Sequence, residues 1–363
     1  METHWMSSRN MKSMLVLMLL CSSLINAAFT VEQDSWIATA LNAVFFLPIL
    51  LMHSRLRALY PDKNIFDIIE HVFGRVLSFI LMLVLTLWGV AILSLMLRNF
   101  IEFTSILSLL ETPRIILMLV FMIPVIYLAQ KGYHVIGRWS FVVCIAIVAN
   151  IALTILLAFN VIDFNHILPV LDHPLPDIAR EGFTIGAIAV GETFMAMSAY
   201  VKHEKKQNAY KTIIGGCVMG IAALTIVALR NLLILGPNMV ASAVFPTYMA
   251  VRIIHIGNFL ERIESTISFS LLLMGMTKMA VFLSGTAMGA ARLIKIDNYK
   301  KLIVPVALLA PAISVIPFEN FLQELNFARE YYRISMEPFV VGLPAIIWIT
   351  AEIKSRMEKR KLQ

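Results

Sequence analysis

Gly186-Ala-Ile-Ala-Val-Gly191-Glu192-Thr193-Phe194 places a carboxylate and two glycines halfway along an apolar stretch, residues 182–201, that is long enough to cross a bilayer. A charge at the centre of a membrane helix costs several kcal/mol, so it faces a cavity or a partner. The glycines weaken the helix where the polar side chain appears. Interrupted helices near the bilayer midplane are how many transporters turn backbone groups toward a substrate. Two readings of Glu192 stay open: it lines a cavity, or it accepts hydrogen bonds from neighbouring helices and locks the bundle.

The rest of the chain fits a membrane setting. Its 363 residues are 59% hydrophobic and 15% charged, with a mean hydropathy of +0.82, too much apolar surface for a water-soluble fold to hide. A spanning helix needs about twenty apolar residues. Runs near that length fall at 14–30, 36–52, 77–97, 115–130, 139–159, 182–201, 212–235, 265–292, 302–317 and 335–353. The expected fold is therefore an all-α membrane protein of about ten transmembrane helices, forming one transmembrane domain over residues 1–363. With the amino end inside, the loops on that side hold 21 of the 30 Lys and Arg residues, which predicts that both termini are cytoplasmic. The net charge of +7 is spread as short clusters between apolar runs, which fits topology and not nucleic acid.

The first run has a second reading. Arg9 and Lys12 before apolar residues ending in Asn26-Ala27-Ala28 also fit a secretory signal peptide, although removing the segment spoils the charge alternation. Ser22, Ser23 and Asn26 interrupt this run as Glu192 interrupts the sixth. The two interruptions lie five spans apart, as expected if ten helices form two five-helix inverted repeats. Small polar residues also help helices pack closely. In the eighth span Lys278 can pair with a carboxylate, contact an anionic ligand, or snorkel toward the inner surface. Arg98 and Glu102, one turn apart near the outer end of the third span, have the spacing of a local ion pair and are candidates for a gate.

Other chemistry lacks support in the sequence. Cys21, Cys144 and Cys217 are isolated in apolar runs, and the eight histidines show no His-x-x-x-His spacing. There is no P-loop, dinucleotide fingerprint or Gly-x-Ser-x-Gly. No catalytic residue, metal site or cofactor is expected.

Several segments in order resemble the B subunit of the endospore germinant receptors, the spore germination permeases within the amino acid–polyamine–organocation transporter superfamily. They are Gln33-Asp34-Ser35-Trp36, Leu97 to Glu102 with Glu111-Thr112-Pro113, Gly191 to Phe194, Phe245-Pro246-Thr247-Tyr248 with Arg252, and Asn258 to Glu264. The resemblance covers essentially the whole chain. It implies a LeuT-like bundle in the spore inner membrane that binds a small nutrient germinant, with an amino acid favoured, and assembles with an A subunit and a lipoprotein C subunit. Carried onto this chain, it implies a pocket among the first, third, sixth and eighth spans, drawn from Ser22, Ser23 and Asn26, Trp88 and Ser94, Gly191, Glu192, Thr193 and Phe194, and Met274 with Thr277. The chain departs from its relatives in lacking a Gly and Pro at the break of the first span and a tryptophan in the eighth. A small zwitterion suits broken helices, whose N–H ends attract a carboxylate and whose carbonyl ends attract an ammonium. The competing expectation is an amino acid transporter in which Glu192 or Lys278 carries a coupled proton.

Overall fold

The structure is a computed structural model that describes residues 5–25, 30–107, 111–202, 206–254 and 263–361. Sixteen α-helices are ordered along the described chain. The first eight are α1 (Ser8–Leu20), α2 (Ser35–Phe45), α3 (Leu47–Leu59), α4 (Ile65–Phe73), α5 (Arg75–Leu107), α6 (Arg114–Lys131), α7 (Tyr133–Leu157) and α8 (Leu175–Ala189). The second eight are α9 (Lys206–Leu235), α10 (Pro237–Ser242), α11 (Pro246–Arg252), α12 (Ile263–Leu293), α13 (Lys300–Ser314), α14 (Phe321–Glu330), α15 (Tyr332–Glu337) and α16 (Leu343–Lys361).

Among the described residues seven helical stretches are long and apolar enough to cross a membrane: Glu32–Leu59, Arg75–Ile106, Arg114–Lys131, Tyr133–Leu157, Asn208–Leu235, Glu264–Leu293 and Ile334–Arg360. The first, sixth and ninth expected spans differ from these for a physical reason. In the first, α1 gives way to a 3-10 turn at Cys21–Ser23; in the sixth, α8 ends at Ala189 and a 3-10 segment runs over Gly191–Ser198. The ninth, α13, is 15 residues long and carries Pro305 and Pro311 inside it. The first helix also starts earlier than hydropathy suggests, because the Ser7 side chain accepts from the Asn10 N–H and caps it.

Large apolar side chains such as Val76, Leu87, Ile123, Val142, Leu156 and Ile349 are exposed along these helices, the surface a hydrocarbon solvent requires. Inside, α1 is buried almost entirely from Met14 to Leu20. The end of α2 approaches α8 very closely: a Cβ on Gly186 would lie 2.2 Å from Oδ1 of Asn42 in α2 and 2.1 Å from Cε2 of Phe46, which caps it. Only hydrogen fits there, so this glycine serves packing one turn before the helix breaks.

Two polar ties fix the ends of the interrupted spans. Asp34, fully buried before α2, accepts from the N–H groups of Leu171 and His173 at 2.8 and 3.0 Å, pinning the segment that leads into α8. At the other side the chain before α1 forms a short parallel pairing, β1 (Met6–Ser7) with β2 (Val201–Lys202), directly after the 3-10 half of the sixth span.

Candidate functional site

A cavity of about 110 Å³ lies where the two interrupted spans meet α5 and α12. Cys21, Ser22, Leu24 and Ile25 come from the end of the first span, Ile92 to Phe100 from α5, Ile188 and Glu192 from the break of the sixth, and Lys278 from α12. Its remaining side is closed by Glu324, Leu325, Phe327 and Ala328 of α14 and by Tyr332 of α15.

The polar centre of this cavity is an ion pair. Lys278 Nζ lies 2.8 Å from Glu192 Oε2, with the side chains 3% and 5% exposed. Lys278 therefore does not snorkel. Its ammonium also donates to Ser22 Oγ at 3.3 Å and to the Ile188 carbonyl at 3.5 Å, which takes up its three donors. The Tyr332 hydroxyl donates to Glu192 Oε1. A carboxylate has about four acceptor positions, so Glu192 keeps capacity for another donor. Asn99 Oδ1, a buried atom on the same cavity, has no hydrogen-bond partner among the described residues. Cavity-facing acceptors with spare capacity suit an ammonium group.

The helix breaks make this arrangement possible. Where α8 stops, the Ile188 carbonyl turns to Lys278 and Glu192 heads the 3-10 segment. Gly191 allows close packing there, since a Cβ would stand 2.4 Å from Cγ1 of Val340.

Only some of the residues singled out in the sequence gather at this cavity. Ser22, Glu192 and Lys278 do. Ser23 lines a separate cavity of about 60 Å³, and Met274 a third of about 20 Å³. Trp88 is buried in aromatic packing, stacked on Phe339 at 6.0 Å and beside Phe282 at 5.6 Å. Ser94 donates to the Val90 carbonyl within α5, and Thr193 to the carbonyl of Val190 at the break of the sixth span. Phe194 packs on the His53 ring at 5.1 Å, and Thr277 accepts from Trp139 Nε1 at 3.1 Å. Asn26 lies outside the described residues. Tyr332 and Phe327 carry no sequence signal of their own, and nothing in the sequence marks Asn99 and Phe100 as cavity-lining, though both are inside the Leu97–Glu102 segment that carries the resemblance.

The outer ion pair differs from the local one that the sequence spacing suggests. Arg98 pairs with Glu324 at 2.8 Å and donates to the carbonyls of Ser314 and Phe318, while Glu102 pairs with Arg114 at 2.9 Å. Partners on other elements satisfy a buried guanidinium more fully than a neighbour one turn away. Burial pushes the Glu324 carboxyl up to about 7, against the pull of Arg98 and with help from Glu102. With α14 docked Glu324 binds its proton more tightly than in water, so undocking releases a proton between pH 4.5 and about 7. Raising pH through that window weakens docking. Hydrogen exchange across residues 321–330, corrected for intrinsic rates, should be slower at pH 5 than at pH 8, and Glu324→Gln should remove the difference. Equal protection at both pH values would contradict this sign.

Comparison with known proteins agrees with the architecture. The sequence pattern of the family described as spore germination protein matches residues 6–321. The chain is 25% identical to spore germination protein KB of Bacillus subtilis (strain 168) over 370 aligned positions, covering 99% of this chain and 98% of that protein. Among solved structures it resembles Mhp1, a nucleobase-cation-symport-1 family transporter with bromovinylhydantoin bound, at a TM-score of 0.71 and 12% identity, covering 95% of this chain and 78% of the other. It also resembles MhsT in complex with L-phenylalanine, at a TM-score of 0.64 and 11% identity, over 97% and 99% of the two chains. The fold is thus LeuT-like, an all-α membrane bundle of the transporter type. With its pattern matched over most of its length, the chain belongs to the spore permease family of spore germination proteins.

Proposed function

We propose that this protein is the nutrient-sensing membrane subunit of a spore germinant receptor, and that an amino acid or similarly small zwitterion binds in the cavity at Glu192. One observation carries the reading: a buried carboxylate with spare acceptor capacity stands at the junction of two interrupted helices, in a cavity of about 110 Å³. On the measure by which one water needs about 10–15 Å³, that space holds several waters but not a large molecule, which favours a compact ligand. Binding biases the bundle between two states, since a ligand shifts an equilibrium only by its differential affinity for them. The α14–α15 segment is the element that reads the ligand, because it closes the cavity and reaches Glu192 through Tyr332. The signal then passes to A and C subunits in the spore inner membrane, with both termini of this chain cytoplasmic and no covalent chemistry involved.

The buried Lys278–Glu192 pair also favours a second reading, a proton-coupled amino acid transporter, because either group can exchange a proton in an alternating-access cycle. A strain carrying only this receptor separates the two. Sensing predicts germination to a narrow set of amino acids, with no accumulation of those compounds in proteoliposomes under a pH gradient. Robust accumulation by this chain alone would overturn the sensing assignment.

A further inference from the structure

Arg230, on α9, is 2% exposed, and its charge has no carboxylate partner within 4.0 Å among the described residues. Among the described residues its guanidinium donates only to neutral oxygens: Nη1 to Thr154 Oγ1 at 2.9 Å, and Nε and Nη2 to Asn231 Oδ1 at 3.3 and 2.7 Å. Three of its five N–H groups are therefore used. Arg57, the other buried arginine without an acid, differs in that its donors reach the backbone carbonyls of Lys63 and Met197, the second near the end of the 3-10 segment, where carbonyl dipoles carry partial negative charge. Among the described residues no comparable compensation surrounds Arg230.

Arg230 also borders a cavity. The third cavity, about 20 Å³, is lined by Arg230 together with Ser23, Asn150, Thr247 and Ser270, closed by apolar residues of α1, α7, α9 and α12. The least volume that holds one water is about 10–15 Å³ on this measure, so the space takes a single water-sized occupant. An unpaired cation in a low-dielectric interior is expensive unless an opposite charge accompanies it. We propose that Arg230 holds a monovalent anion the size of chloride in this cavity, with the hydroxyl of Ser270 as a further donor. The same residues tie the anion to the ends of other elements. Asn231 donates to Thr247, and Thr247 donates to the Ser23 carbonyl at the end of the first span. Anion binding at Arg230 therefore steadies the outer part of the broken span without touching the Glu192 cavity.

The test uses the purified full-length protein in detergent, with chloride exchanged for gluconate at constant ionic strength and unfolding followed by tryptophan fluorescence. Chloride and bromide should raise the unfolding midpoint by about 2–5 °C with saturable dependence, and acetate, too large for the cavity, should not. Arg230→Gln should abolish the difference. Ser270→Ala, a milder change, should raise the half-maximal chloride concentration by about tenfold. Identical midpoints of the wild-type protein in chloride and gluconate overturn the proposal, as does a chloride response retained by folded Arg230→Gln. Stabilisation by acetate equal to that by chloride overturns the single-atom assignment and points to a ligand carboxylate instead. Should Arg230→Gln fail to fold, the anomalous signal of bromide in wild-type crystals decides: a peak beside Arg230 supports the site, and its absence at saturating bromide overturns it.

Discussion

Lys278→Met should lower the stability of the protein by about 3–5 kcal/mol, and combining it with Glu192→Gln should restore most of that loss. The single substitution leaves a carboxylate buried at 5% exposure with, among the described residues, only Tyr332 as a donor, an uncompensated charge in a low-dielectric interior. Glu192→Gln alone strands the ammonium, which keeps Ser22 and the Ile188 carbonyl and so loses somewhat less. The double variant replaces an ion pair with neutral groups of similar volume, a change that is often close to neutral in buried sites. Unfolding midpoints of the four proteins in the cycle give the coupling. Additive losses would mean the pair contributes no coupling. The double variant also separates the two readings of Glu192. If the carboxylate receives the ammonium of a ligand, the stable double variant no longer responds to germinant; if the pair only locks the bundle, the response survives.

Gly275→Ala should reduce ligand affinity at least tenfold while costing the fold only about 1–3 kcal/mol. A Cβ at this position would come within 2.3 Å of Cζ of Phe100, and within 2.5 and 2.7 Å of its two ε carbons. The ring is 1% exposed and stacks on Phe121 at 5.4 Å, so its nearest free volume is the cavity that it lines. A displaced ring occupies space that a ligand needs. Phe100→Leu in the same background should recover binding by returning that volume. Binding by calorimetry and the germinant concentration for half response both report the effect. Unchanged affinity in a folded Gly275→Ala protein would show that Phe100 does not border the ligand.

The sequence made the helices legible where hydrophobic runs are long, and the same reasoning found the two breaks, because polar and small residues stand out against Leu and Met. It also picked out Glu192 and Lys278 separately. Their pairing was one of several options, since 86 residues separate them and only the packing of α12 against the broken span brings them to 2.8 Å. The Arg98–Glu102 spacing misled because i,i+4 proximity is a weak force beside a buried partner on another element, here Glu324. Trp88, Phe194 and Thr277 lie on spans that the resemblance implied, but they turn toward aromatic packing or a neighbouring indole. Facing direction within a wholly apolar helix leaves little periodic trace, because both lipid and core accept the same side chains. The α14 segment was hidden for the opposite reason. Its apolar residues are too few for a span, so only the fold reveals that Leu325 and Phe327 cap the cavity.

The short pairing of Met6–Ser7 with Val201–Lys202 has a mechanical consequence. The leading end of the first broken helix is fastened to the trailing end of the second, while their broken tips meet through Ser22, Ile188 and Lys278. Two struts joined at both ends cannot swing independently: a tilt in one drags the other. A displacement at the tips would therefore move the far ends together, on the side where Arg292 grips Asp67 and Arg55 grips Glu352.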